Sequence, residues 1–345
     1  MNWIKVGGLL VENDHKQIRL TASEVAKLWG SYINDTLGIC TISSFLKDVE
    51  DPDIREVLEF ALDLSKRHVD RITDIFNTEK FPLPIGFNEQ DVNLNAARLF
   101  SDTFMLHYIQ SIGTMGIRSY SFALPSSARM DIREFYTHCM QSSMELFNRA
   151  CNVMQEKGLF VRPPFIPYPT QAEFVHKEHF MAGWLGKQRP LTSIEIHFLF
   201  ENFYRNSLGS CLLTGFSQVA QSMDVRNYMV RGAEIAKHHS EVIRKFLSDG
   251  NLPSPMSSDL SPLSSKEPVF SDKLLMFHTV ALNNAGIGYY GESIGGAARK
   301  DLAAAYNRLM LEVEAFAGDG VTMMIDNGWL EKPPSAPDRN DLAKG

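Results

Sequence analysis

The sequence predicts an all-α fold: two tandem copies of one four-helix bundle, each with a long crossover loop. Three observations carry this. The chain repeats itself: sliding it by 171 positions superposes Leu20, Thr21, Glu24, Leu28, Leu37, Gly38, Cys40 and Phe45 on Leu191, Thr192, Glu195, Leu199, Leu208, Gly209, Cys211 and Phe216. After a one-residue deletion the match resumes, with Phe100-Ser101-Asp102 on Phe270-Ser271-Asp272 and Ala128-Arg129, Asp131 and Tyr136 on Ala298-Arg299, Asp301 and Tyr306. Two ungapped registers over such a length mark a duplication. Apolar residues recur at helical spacing, and no segment alternates with period two, so essentially no sheet is expected.

The elements follow in order. Residues 1–19 read as an arm with Gly7-Gly8 and a polar stretch. The first helix opens on a capping box, Thr21-Ala-Ser-Glu24, stapled by Leu20 and Val25; its copy is Thr192-Ser-Ile-Glu195. The second starts at Asp51-Pro52, where proline suits the first turn, and runs to about Asn77; its copy starts at Ser222. A non-periodic, proline-bearing segment follows, 78–99 in one copy and 248–269 in the other. About 20 residues exceed a helical-hairpin loop and suffice to cross the bundle, as in ferritin-like topologies. Ser101-Asp102 and Ser271-Asp272 cap the third helices. The fourth end at Gly158 and Gly328, each followed by prolines. The expected domains are 1–160, with the arm, and 191–345, with a polar tail. A proline-rich linker, 161–190, joins them and holds a short helix over Gln171–Trp184.

Composition narrows the function classes. At 345 residues each copy has length enough to bury its own core. The net charge of −7 argues against nucleic acid or an anionic membrane as partner. Cys40, Cys139, Cys151 and Cys211 show no CxxC spacing, and no apolar run reaches a membrane span, so a reduced cytoplasmic setting is the expectation.

One chemistry fits a duplicated bundle with a crossover: a carboxylate-bridged metal site. It needs a Glu from each of two helices and Glu-x-x-His from the other two. The only Glu-x-x-His matches, Glu12–His15 and Glu173–His176, fall outside the bundle helices. Glu24 and Glu195 are duplicated acids, but their place in a capping box explains them as helix caps. His68 and His239 are duplicated on apolar helix faces, as core histidines or as ligands. In the second copy, distance along the helices from the inter-helix turns sets Glu201, His239, His278 and Glu312 at similar heights. A divalent or ferric ion (iron, manganese or zinc) is the candidate cofactor there. Copy one offers Gly30, His68, Tyr108 and Ser142 at those places, leaving His68 as the weaker candidate. Glu173, His176 and His179 form a second cluster, because histidines three apart on a helix can chelate an ion. The glycines of Asn284–Gly291 lack the strand a phosphate loop needs. Close helix packing explains the pair Gly116/Gly286, with a small apolar ligand beside it as a further option.

Taken together, these motifs resemble a known family: the capped first helix, the histidine of the second, the proline-rich crossover, Phe-Ser-Asp opening the third and Ala-Arg-x-Asp on the fourth. It is a family of unknown function from spore-forming Gram-positive bacteria, with two ferritin-like four-helix domains. Its members are sometimes labelled spore coat proteins, by distant similarity to the coat F type. The resemblance covers roughly residues 5–338. It implies the fold and a non-enzymatic structural or binding role, associated with the spore coat or with another protein. The duplication already supplies an internal pseudo-dimer, so the chain is expected as a monomer or a homodimer.

Overall fold

Each repeat places four helices, as the repeated start and stop signals require. In the computed structural model, which describes residues 3–6, 9–12, 18–176, 178–183, 188–254 and 260–343, the first quartet is α1 (Ala22–Asp48), α2 (Pro52–Thr78), α3 (Asp102–Ala123) and α4 (Met130–Glu156). The second is α5 (Ser193–Val219), α6 (Met223–Asp249), α7 (Asp272–Gly296) and α8 (Lys300–Asp326). Both capping boxes form: Thr21 N–H donates to Glu24 Oε2 at 2.8 Å, and Thr192 N–H donates to Glu195 Oε2 at 2.9 Å. At the far end Gly158 (φ 68°) and Gly328 (φ 69°) take the left-handed conformation that glycine tolerates. The next amide then folds back, Leu159 onto Met154 O and Trp329 onto Met324 O, each at 2.8 Å.

The other duplicated polar residues tie helix ends together. Asp102 accepts the N–H groups of Glu50 and Asp51, and Asp272 those of Gln221 and Ser222, so the third helix of each copy grips the turn between the first two. Glu24 and Glu195 also accept the N–H of Arg129 (2.8 Å) and Arg299 (3.0 Å) with their second oxygens, joining the first helix to the fourth. Sequence showed that these residues repeat; the structure adds that one carboxylate closes two helix starts.

The two quartets share a core. Phe45 meets Phe100 edge-on at 6.1 Å, their copies Phe216 and Phe270 meet at 6.0 Å, and Phe100 meets Phe216 across the junction at 6.5 Å. One continuous cluster of buried side chains runs through both copies, flanked by a smaller cluster in each. The crossover segments pair: Asn93 N–H donates to Val269 O (2.7 Å) and Leu263 N–H to Leu99 O (2.8 Å). Tyr108 and His278 occupy the same position in the two repeats and hydrogen-bond to each other at 3.0 Å, which puts them on the pseudo-twofold axis.

Two expectations need correction. The N-terminal arm contains an antiparallel hairpin, β1 (Trp3–Val6) with β2 (Leu9–Glu12), in the register Trp3↔Glu12. The signal was Gly7-Gly8 between two short apolar runs, the spacing of a two-residue hairpin loop. The helix expected over Gln171–Trp184 is absent from its described part: residues 171–176 are irregular, and only a 3₁₀ turn forms at Glu178–Met181. Phe174 is 88% exposed. No surface covers it, and a short helix without a buried face is marginal in water. No helix among the described residues is long and apolar enough to cross a membrane.

Candidate functional site

The apolar face of the second helix in each copy carries one histidine inward, and the third helix brings a tyrosine to it. His239 is fully buried; its Nδ1 lies 2.9 Å from Tyr290 Oη, and its Nε2 lies 2.9 Å from Glu312 Oε2. Asn206 Nδ2 donates to the same tyrosine oxygen at 2.9 Å. The protons then follow. Tyr290 accepts from Asn206 and so gives its hydroxyl proton to Nδ1, while Nε2–H donates to the Glu312 carboxylate. Burial pushes the His239 pKa down against the pull of Glu312, and the net shift is downward. Burial raises the Tyr290 phenol to about 12. The result is a neutral, oriented imidazole whose outer nitrogen reaches a half-exposed carboxylate.

Copy one builds the same pair with its acid elsewhere. His68 Nδ1 lies 3.3 Å from Tyr120 Oη. Asp35, at the position of Asn206, approaches the same nitrogen at 3.3 Å but off the hydrogen-bond direction, leaving its Oδ2 without a bond. Ser142 stands where copy two has Glu312.

Of the four residues set at one height by sequence, His239 and Glu312 meet. His278 instead turns to Tyr108 and the Phe216 ring, and burial takes its pKa down to about 4. Glu201 lies within electrostatic reach of Arg118 and Arg205. Height along a helix says nothing of azimuth, and α7 spends the His278 face on the pseudo-twofold contact. Glu173 and His176 are exposed on irregular chain, Glu173 accepting from Gln171 Nε2 at 3.2 Å. The His179 side chain lies outside the described residues. Among the described residues, no three His, Cys, Asp or Glu side chains converge on one point.

Each copy borders a cavity beside the paired glycines, where the sequence left a small apolar ligand as a further option. The second bundle borders one of about 120 Å³, between Gly209, Gly286 and Tyr290 on its own side and Ile112 and Met115 of α3 on the other. The first holds one of about 580 Å³ bordered by the equivalent Gly38, Gly116 and Tyr120, extending to His278. The paired glycines are not alike. A Cβ on Gly116 would lie 2.5 Å from Ser143 Oγ, so close helix packing explains it. A Cβ on Gly286 or Gly209 would meet nothing within 4 Å, which corrects the packing explanation for copy two. A signal existed in the repeat alignment: Ser65 and Ser143 become Ala236 and Val313, which shortens or removes the polar groups on that wall.

No curated protein matches this chain. A solved structure described as a "putative spore coat protein" from Bacillus halodurans is similar over 45% of this chain and 100% of its own, at 16% identity and a TM-score of 0.41. A family model matches twice, over residues 10–171 and again over 179–342. The chain therefore belongs to the family described as "Protein of unknown function (DUF3231)", which it carries in two tandem copies.

Proposed function

We propose that this protein is a non-enzymatic binding protein whose bundles take small molecules into their interiors. The observation that carries this reading is the open space beside Gly209 and Gly286, where glycine costs helix stability and no neighbouring atom requires it. The duplicated acids lend support, since Glu24, Glu195, Asp102 and Asp272 are all engaged in closing helix ends. Each bundle reads as ferritin-like from its long connection between second and third helix, with 1–160 and 191–345 as the two units and 161–190 as connector. The test is saturable binding of a neutral apolar probe, benzene, followed by methyl chemical shifts of the full chain. Shifts at the cavity-lining leucines that vanish in Gly286→Leu support the reading; shifts spread over the surface, or none, overturn it. The association with a spore coat implied by the sequence resemblance belongs to the same reading, and fractionation of sporulating cells tests it.

A second reading rests on the 2.9 Å approach of His239 Nε2 to Glu312. One imidazole and one carboxylate fit a single divalent ion completed by water, and not a carboxylate-rich dinuclear centre. An ion there needs Nε2 bare, with the proton moved to Nδ1 and Tyr290 accepting it. Metal analysis of tag-free protein from metal-supplemented growth decides. Stoichiometric metal lost in His239→Ala and Glu312→Ala supports this reading, and metal-free protein overturns it.

A further inference from the structure

We propose that the cavity of the second bundle binds a small apolar monocarboxylate, with the carboxylate on Arg205 and Asn283 and the hydrocarbon body against Gly209 and Gly286. This rests on the binding-protein reading and names its ligand class.

Two donor groups in this cavity are short of acceptors. Arg205 Nε is sealed from solvent without a hydrogen-bond partner, Asn283 Nδ2 is sealed likewise with only Tyr228 Oη in reach of one of its two N–H groups, and both residues line the same space. Buried donors are nearly always satisfied in folded proteins, because stranding one costs its full desolvation. The rest of the guanidinium is held in place: Arg205 Nη2 donates to Asn202 Oδ1 at 2.7 Å, and its Cζ stacks over the Tyr289 ring at 3.1 Å from the centroid. Arg118 stacks on that ring too, at 4.1 Å, and is paired with Glu292. Glu201 acts on Arg205 electrostatically, and no bond joins it to Arg205 Nε. A cation with a free in-plane donor, beside a second free N–H, suits an oxygen anion.

Divergence between the repeats points the same way. Arg205 and Asn283 stand where copy one has Asn34 and Gly113. A Cβ on Gly113 would lie 3.1 Å from the backbone of Phe147, so copy one has no room for an asparagine there. Copy two thus carries a guanidinium and an amide where copy one has an amide and a glycine, has Ala236 and Val313 for Ser65 and Ser143, and holds its glycines over empty space. The volume of about 120 Å³ limits the body. A cavity of about 150 Å³ holds one benzene, so the ligand has a short branched chain or a single ring rather than a long acyl chain.

The experiment titrates isovalerate into the full chain, with isovaleramide and inorganic phosphate as comparators, by calorimetry and by methyl shifts of the cavity leucines. We expect saturable binding of isovalerate, with a dissociation constant of roughly 10 µM to 1 mM for about seven heavy atoms. Isovaleramide and Arg205→Gln should each weaken it about tenfold or more, phosphate should not compete, and Gly286→Leu should abolish it. If Gly286→Leu fails to fold, as judged by circular dichroism, Gly209→Ala replaces it and must weaken binding. Equal binding of acid and amide, or isovalerate binding unchanged in Arg205→Gln, overturns the assignment. If benzene or isovaleramide enters while isovalerate does not, the carboxylate class falls and the binding-protein reading stands. If none enters, ordered water satisfies the donors and both fall.

Discussion

Removing one carboxylate from each repeat separates folding from function for the duplicated acids. Glu195 accepts from Thr192 N–H (2.9 Å), Arg299 N–H (3.0 Å) and both terminal nitrogens of Arg189 (2.8 Å each), with its side chain fully covered. Glu24 makes the same cap and the same bond to Arg129 N–H but has no guanidinium, because Ile18 stands where copy two has Arg189. Losing the cap costs about 1 kcal/mol. Stranding a buried amide adds about 1–3 kcal/mol, and stripping the partner from a covered charge brings Glu195→Ala to about 3–5 kcal/mol in all. Glu24→Ala should cost about 2–3 kcal/mol by the first two effects. A second route gives a similar size. Burial pushes the Glu195 carboxyl up, but the bonds from Arg189, Thr192 and Arg299 outweigh it and hold it at about 2 instead of 4.5. That is worth up to about 3 kcal/mol at neutral pH. Since the folded pKa is the lower one, this stability is present above pH 4.5 and is lost as pH falls towards 2. Urea unfolding at pH 7 and again at pH 3 measures both variants, and the gap between wild type and Glu195→Ala should shrink in acid. Losses below about 1 kcal/mol in both variants would refute the claim that these acids serve the fold, and equal losses would refute the extra weight given to Arg189.

Three more outcomes are expected. Phe216→Ala should cost about 3–5 kcal/mol and lower one unfolding transition common to both repeats; two separate thermal transitions would contradict the shared core. Gly286→Ala, adding a methyl to open space on a helix, should stabilise the ligand-free protein by about 0.5–1 kcal/mol. Gly116→Ala meets Ser143 and should destabilise it, so melting temperatures of opposite sign are the readout. His107 and His278, held by burial at about 4, fold as neutral rings, so stability should fall as pH drops from about 6.5 towards 4. His278→Gln should flatten that slope in urea titrations.

Local signals were strong enough to read ahead of any coordinates. Thr21–Glu24 and Thr192–Glu195, Pro52, the serine caps and the terminal glycines each act within a few residues, so a linear sequence contains the whole interaction. The hairpin of Trp3–Val6 with Leu9–Glu12 has its local signal in Gly7-Gly8, but its strands of four residues are too short for a period of two to stand out. The segment 171–176 shows the reverse. Its pattern suited a helix, but whether a neighbouring surface covers Phe174 is not written locally.

The candidate site divides along the same line. His68 and His239 were identifiable as duplicated inward residues, and Glu312 as an acid at the right height. The partner of His278 was not, because it is Tyr108 from the other repeat, 170 residues away. Arg205 and Asn283 showed no motif at all; each is unremarkable until the packing of α5 against α7 buries its donor in the wall of a cavity. By itself, then, the sequence determined the eight bundle helices, their caps and the tandem plan, since caps and periodicity are short-range. Only the tertiary structure decided that the two copies share one core, which way each inward polar group turns, and where volume is left unfilled. Those depend on rotation about helix axes and on the sum of many side-chain volumes, neither of which a repeat spacing encodes.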